Sequence, residues 1–454
     1  MYLLEWGAGI RSHFMKRLLP LKMTFVMLFS FCVLGLFLIA PAGGEEKATP
    51  VKKGRGTYLR PMQAARRPRG RARRSPADAY DKEKVPVLNL PDPLVMLDGE
   101  KVTDVKVWKE KRRPEILKLF ETNVYGRTMV GRPKEMTWKI TSQDNKAYRG
   151  KAITKSVTIY FTGKKDGPKM DLDITLPAGA GKPVPVFLIP AYGADLNALI
   201  RNGYGLVLFD PRQIEPDERE GSYNKSIRKV FAEPGQNRPR PDEWGAIGAW
   251  AWGMSRAMDY IETDPDIDAK KVCIMGFSRF GKVAMWAGAQ DERFAIIFSG
   301  GSGCGGAVLL RRGYGESIES ITSSFPHWFC GNFRTYASRV NELPVDWHML
   351  VALMAPRPVY IATAADDHWG DPYGSFLSAK YAGPVYELFG KVGVGVDDMP
   401  AVNRPVGDSI GYHNRKGGHS INSFDWKQFI TFADRHFGIQ KPPRPGKIPK
   451  EQSK

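Results

Sequence analysis

The sequence predicts an α/β protein, a three-layer α-β-α sandwich around a mostly parallel central sheet, on three observations. "MTWKITSQ", "AITKSVTIYF" and "KMDLDITLP" alternate at period two, as antiparallel strands with one packed face do. From Val184 onward the apolar residues come instead in short unbroken runs, the pattern of strands buried on both faces. These runs alternate with helical patterns, so a parallel sheet with crossover helices is expected.

In chain order, "VWKEKRRPEILKLFETNVYG" reads as helix around Pro114, and the three alternating strands follow. "VPVFLIPAYG" and "YGLVLFDP" are buried strands ending in Pro, Gly or Asp. A long helical pattern over 243–263 carries Trp244, Trp250 and Trp252, read as core supporting the sheet. Then come the strand "KKVCIMG", a helix through "KVAMWAGAQ", the strand "FAIIFSGG" and the strand "PRPVYIATAADD" with its helix near 374–381. "SIGYHNRKGGH" gives a late strand and loop, and "SFDWKQFITFADRHFG" a closing amphipathic helix with Trp426, Phe429, Ile430 and Phe432 on one face. With no internal repeat, these pieces make one domain over about 85–440, followed by a polar tail, 441–454.

The chain has 454 residues, 42% hydrophobic, and a net charge of +19. That is enough apolar material for one large core and excludes a wholly disordered protein. Residues 1–84 hold 17 Lys/Arg against 6 Asp/Glu, so most of the excess charge lies before the predicted domain. Arg11, Lys16, Arg17 and Lys22 precede the uncharged "MTFVMLFSFCVLGLFLIAPAGG", which reads as a leader over 1–44 with cleavage near Ala42. Its length also suits an uncleaved membrane anchor, so secretion or periplasmic export and anchoring both stand as expectations. Residues 45–84 are rich in Arg, Lys, Pro and Gly, a disordered basic linker. It lacks interleaved aromatics, so nucleic acid is not an expected partner. Of the four cysteines, Cys32 lies within the leader, leaving Cys273, Cys304 and Cys330, enough for one bridge. A Cys304–Cys330 disulfide and three unpaired thiols are both open.

The chemistry begins at "IMGFSRFGK", where a strand stops, Gly276 and Gly281 bracket Ser278, and a helix resumes. This is similar to the nucleophile elbow Gly-x-Ser-x-Gly. A serine hydroxyl needs an imidazole to take its proton and a carboxylate to orient that imidazole. Asp366 and Asp367 follow "VYIATAA", and His419 follows "GYHNRKGG", which gives the order serine, acid, histidine of the α/β-hydrolase fold. All lie at carboxyl ends of predicted strands, where such sheets place their sites. His413 and His348 read as structural, inside a strand and opening a helix, and His327, His368 and His436 carry no strand-end signal for a base. Arg279, next after the serine, suits the developing oxyanion through its backbone N–H and its charge.

"GFSRFGK" resembles the Gly-x-Ser-Arg-x-Gly-Lys elbow of carbohydrate esterase family 15, the glucuronoyl (4-O-methyl-glucuronoyl methyl) esterases. "SGCGGAVLLRRGYGESI", "SSFPHWFCGNF", "LVALMAPRPVYIATAADDHWGDPYG" and "GYHNRKGGHSINSFDW" resemble bacterial members in sequence and order, over about 90–437. The resemblance implies Ser278 as nucleophile, His419 as base and Arg279 at the oxyanion. It implies Lys282 hydrogen-bonding the sugar hydroxyls and Trp369 packing on the uronate ring. Glu316, Glu319, His327 and Trp328 fall in a segment that the family uses to line the sugar pocket. Fungal members carry the acid where this chain has Gly301, so Asp367 or Asp366, after the later strand, is expected to supply it. The cysteines flanking the fungal serine and histidine are replaced by Phe277 and Ser420.

The expectation is a secreted serine esterase, acting as a monomer on uronic acid esters such as glucuronoxylan esterified to a lignin alcohol. It passes through a covalent acyl-enzyme and needs no metal or organic cofactor. The rivals are an acetyl xylan esterase or other carbohydrate esterase, and a non-catalytic carbohydrate-binding surface protein that kept the fold.

Overall fold

The computed structural model describes residues 88–179, 183–190 and 193–440. The predicted leader, basic linker and tail lie outside the described residues.

The strands are β1 (Thr137–Lys146), β2 (Ala152–Tyr160), β3 (Lys169–Pro177), β4 (Val184–Pro190), β5 (Gly205–Phe209), β6 (Ile267–Phe277), β7 (Ile296–Gly300), β8 (Val359–Ala364) and β9 (Ile410–Arg415). They form one sheet in the order β1-β2-β3-β5-β4-β6-β7-β8-β9. The first three pair antiparallel, and β3 meets β5 antiparallel. Every pairing from β5 to β9 is parallel. Connection length explains the division. The links between β1, β2 and β3 allow only hairpin-like returns, whereas later links contain helices and can cross over. Strand β1 is one of the two edges, and its exposed "TWKITSQDNK" is polar enough to discourage pairing with another chain.

In the central strands alternate residues feed two cores. Val272 and Ile274 of β6 join one cluster, Cys273 and Met275 the other. The first cluster lies under α2 (Ala246–Ile261), α3 (Arg279–Gln290) and α5 (Pro372–Tyr381), the second under α6 (Ser423–Phe437). These are the three expected layers. Helix α2 is buried almost all round, with Trp250 and Trp252 donating their indole N–H groups to the carbonyls of Glu215 and Gly131, at 2.9 Å each. The helix expected around Pro114 is α1 (Arg113–Phe120), with the proline in its first turn, where a missing N–H costs nothing. Wider turns at Trp108–Arg112 and Glu121–Tyr125 flank it.

Cys273, Cys304 and Cys330 are buried and unbridged, so the Cys304–Cys330 disulfide does not form. Burial pushes the Cys330 thiol up to about 11, and its Sγ faces the Thr122 carbonyl at 3.7 Å. The order β5-β4-β6 reverses the chain's progress across the sheet, and open α/β sheets place their sites at the carboxyl edge of such a switch point. Ser278 stands there.

Candidate active site

Ser278 sits in the turn between β6 and α3 at φ 59° and ψ −125°, a conformation that a non-glycine residue holds only when its surroundings force it. The surroundings are explicit. A Cβ at Gly276 would lie 1.8 Å from the Phe280 carbonyl oxygen, so the chain can double back only over a glycine. The second glycine, Gly281, comes three residues after the serine, one later than in Gly-x-Ser-x-Gly. Its Cα face meets the loop after β7, where a Cβ would stand 2.9 Å from Ser302 Cβ. The Ser278 amide donates to the Gly300 carbonyl at 2.8 Å, which ties the turn to β7.

His419 Nε2 lies 2.9 Å from Ser278 Oγ, and His419 Nδ1 lies 2.6 Å from Asp367 Oδ2. The carboxylate partner is therefore Asp367, and the pairing expected as an alternative, through Asp366, does not occur. Asp367 caps the turn His368–Gly370, accepting the Gly370 amide at 3.3 Å, and its side chain folds inward. Asp366, one residue earlier, points its exposed side chain to the outside and contributes only its amide, to the Gly417 carbonyl. Phe277 packs on the His419 ring with centroids 4.7 Å apart. A Cβ at Gly301 would lie 3.3 Å from His419 Cε1 and 3.4 Å from Nδ1, so the strand end after β7 opens on the same edge of the imidazole.

The loop bearing His419 is held from beneath. Arg415, at the end of β9, donates from Nη1 to the Lys416 carbonyl at 2.9 Å and from Nη2 to Ser420 Oγ at 3.0 Å and to the Ser420 carbonyl. Asp425, in the first turn of α6, grips its Nε at 2.8 and 3.0 Å. This buried clamp fixes a segment whose Gly417 and Gly418 would otherwise leave it loose.

Arg279 opens α3, at the positive end of the helix. Its guanidinium pairs with Asp217 and lies over the Trp328 ring, 5.2 Å from the centroid. Asp217 also accepts from Trp328 Nε1 and His327 Nε2, both at 2.8 Å. Burial alone would raise the Asp217 pKa, but those hydrogen bonds and the Arg279 charge hold it below the usual carboxylate range. The arginine is thus aimed by a charged carboxylate. His327, expected in the sugar pocket, bonds the same carboxylate that pairs with Arg279.

Lys282, one turn into α3, is buried and donates to the Ser302 carbonyl at 2.5 Å and to Glu316 Oε2 at 3.1 Å. Glu316 Oε1 accepts from Trp369 Nε1 at 3.1 Å, so Lys282, Glu316 and Trp369 form one polar chain beside the serine. Trp369 keeps 43% of its surface exposed, an apolar ring offered to solvent. It is braced from below: Arg312 pairs with the buried Asp371 at 2.8 and 3.1 Å, and the Glu316 amide meets the Trp369 carbonyl at 3.0 Å. Glu319, expected with this group, lies exposed on α4 (Ile318–Ser324) and makes no hydrogen bond or ion pair with Lys282, Glu316 or Trp369.

Asp217, Asp371, Arg312, Arg415 and Asp425 escaped the sequence reading. Only Asp217 could have been sought, as the counter-charge that a partly buried Arg279 demands. Among the described residues no group of three or more His, Cys, Asp or Glu is placed to hold a metal ion, and no helix is long and apolar enough to cross a membrane.

A family model described as "Glucuronyl esterase, fungi" matches residues 158–390. The protein named carbohydrate esterase MZ0003, from an unknown prokaryotic organism, is 41% identical over 399 residues, 79% of this chain and 91% of its own. The solved glucuronoyl esterase of Solibacter usitatus is 45% identical, with a TM-score of 0.75 over 79% of this chain and 100% of that one. A 4-O-methyl-glucuronoyl methylesterase of Podospora anserina is 28% identical over 76% of this chain and 66% of its own. A strained serine on a strand-to-helix turn, an imidazole and carboxylate in line with it, and these likenesses converge: the chain belongs to carbohydrate esterase family 15, the glucuronoyl esterases, carboxylic ester hydrolases of the α/β-hydrolase fold.

Proposed function

We propose that the protein is an exported serine esterase that hydrolyses esters of glucuronic acid, with the 4-O-methyl-glucuronate of xylan esterified to a lignin alcohol as its substrate. The observation that carries the reading is the unbroken relay Ser278–His419–Asp367, at 2.9 and 2.6 Å, beside the Lys282–Glu316–Trp369 chain. Export rests on the basic and then apolar start of the sequence.

In this reading Ser278 Oγ attacks the C6 carbonyl carbon while its proton passes to His419 Nε2. Asp367 accepts a hydrogen bond from the Nδ1–H, which stays on the ring, and stabilises the imidazolium as it forms. The carbonyl oxygen becomes an oxyanion beside Arg279, whose charge is oriented in advance by Asp217 and Trp328. Collapse breaks the ester C–O bond, and the alcohol leaves with the proton from His419. Water repeats the sequence on the acyl-serine, releasing the uronate and restoring Ser278. Lys282 and Glu316 present a donor and an acceptor to ring hydroxyls, and the exposed Trp369 offers a face for the sugar's C–H surface.

The test is hydrolysis of benzyl and methyl glucuronate set against acetylated xylan, with Ser278→Ala alongside. Turnover of the glucuronates with a burst of alcohol, absent from the variant, is the expected result. Preference for the acetyl ester would replace the substrate class, and equal rates with and without the Ser278 hydroxyl would end the esterase reading.

A further inference from the structure

His327, which bonds the Asp217 that pairs with Arg279, also lines a cleft of about 700 Å³. Arg219, Arg228, Arg238 and Arg240 line it together with Tyr223 and His327, and no carboxylate does. The four guanidiniums are not equivalent. Arg228 is neutralised by the buried Glu215, at 2.6 and 2.9 Å, and serves the fold. Arg240 is exposed and only loosely paired with Glu243, at 3.5 Å. Arg219 is exposed and reaches a carbonyl, that of Ser323. Arg238 is exposed and has no side-chain partner among the described residues. Arg219 and Arg238 therefore face this concave space without an ion-pair partner among the described residues, and Arg240 shares it with Glu243 as its one counter-charge.

Two buried polar atoms mark the same wall. The His327 side chain is only 5% exposed, and its Nδ1 has no hydrogen-bond partner while Nε2 is committed to Asp217. The Tyr223 hydroxyl is buried and unpartnered too, its ring lying under the Arg228 guanidinium at 5.3 Å. A buried hydroxyl and a ring nitrogen that accepts while Nε2 donates to Asp217, both unpaired beside a cationic hollow, are what an absent anionic, hydroxyl-bearing ligand leaves behind.

The reacting group cannot be that ligand, because an esterified carboxyl carries no charge. We propose, on the basis of the esterase reading, that this cleft is a subsite for a second, free carboxylate on the same polysaccharide: an unesterified uronate near the one being cleaved. Pro239, Pro241 and Phe329 give it apolar walls for a sugar ring, and the arginines supply the fork that matches a carboxylate. Through His327 it shares a wall with Asp217, the residue that aims Arg279. The protein is thereby fitted to acidic, multiply uronylated chains over neutral ones.

The experiment uses the full chain and Arg238→Ala/Arg240→Ala, titrated calorimetrically with a di-uronide bearing two free carboxylates and, separately, with glucuronate alone. The double variant is expected to bind the di-uronide roughly tenfold more weakly or worse, with glucuronate binding and the rate on methyl glucuronate unchanged. A circular dichroism melt matching the wild type shows that the variant is folded. If both ligands weaken equally, the cleft holds the product and the proposal falls; if neither weakens, it falls as well. Should the di-uronide show the expected loss in a protein that cleaves no glucuronate ester, the cleft stands and the esterase reading fails, so the two claims are separable.

Discussion

Two histidines, six residues apart on and just beyond β9, each meet an aspartate, yet they differ in everything that matters for chemistry. His413 is buried, with Nε2 on Asp425 Oδ1 at 2.9 Å and Nδ1 on the Tyr360 hydroxyl at 3.0 Å, so both nitrogens are spoken for inside the core. His419 pairs with Asp367 through Nδ1 alone, leaving Nε2 on a serine hydroxyl, and 42% of its side chain meets solvent. Burial holds the His413 imidazole below its ordinary range even though Asp425 pulls the other way. A carboxylate partner therefore does not make a base. Projection past the strand end does, because only there can the second nitrogen face a reactant.

The sharpest way to break this contrast is to remove each side in turn. Ser278→Ala and His419→Ala are expected to lower kcat by about 10⁴- to 10⁶-fold with the melting temperature unchanged, read by glucuronate hydrolysis and thermal denaturation. Asp367→Ala is expected to cost about 10⁴-fold and Asp366→Ala almost nothing, because only the former touches the imidazole. A full loss with Asp366→Ala would contradict the observed pairing. Arg279→Ala should cost about 10²- to 10³-fold in kcat if its charge meets the oxyanion, and should change KM much less.

His413→Ala sits at the other end of the scale for catalysis and is expected to cost about 3 kcal/mol of stability by opening a buried cavity and leaving the Tyr360 hydroxyl without its partner, while Asp425 keeps Arg415, with kcat per folded molecule close to wild type. The pH dependence has the same origin. His348 and His413 are held below 6.5 in the folded protein, chiefly by burial, so on unfolding they take up protons that the native state refuses. Stability is then fully present above pH 6.5 and falls as the pH drops below it toward the folded values. Melting curves at pH 7.5, 6.0 and 5.0 should show that fall, and the slope should flatten in His413→Ala.

Legibility followed the same division between core and strand end. The buried strands were readable because a run such as "VFLIP" has no alternative home than a covered sheet, and His419 was readable because two glycines after a strand mark an exposed loop. The choice between Asp366 and Asp367 was not readable: adjacent residues in a turn face opposite ways, and the deciding fact is the backbone of the turn that Asp367 caps. Asp217 was invisible because "EPDERE" looks like solvated loop, and its partners Arg279 and His327 lie 62 and 110 positions away. Glu319 and Glu316 share a segment, but only Glu316 faces Lys282, since Glu319 falls on the outer side of a short helix. Cys304 and Cys330 carry no spacing signal that separates a bridge from two packed thiols.

Gly301 carries one more consequence. A side chain grafted there would set out 3.4 Å from the nitrogen that Asp367 serves, so two neighbouring strands each end within arm's length of a single imidazole. The orienting carboxylate is in effect a post with two doors. A chain can hand the duty from one strand to the next while nucleophile and base stay in place, and the glycine keeps the unused door open.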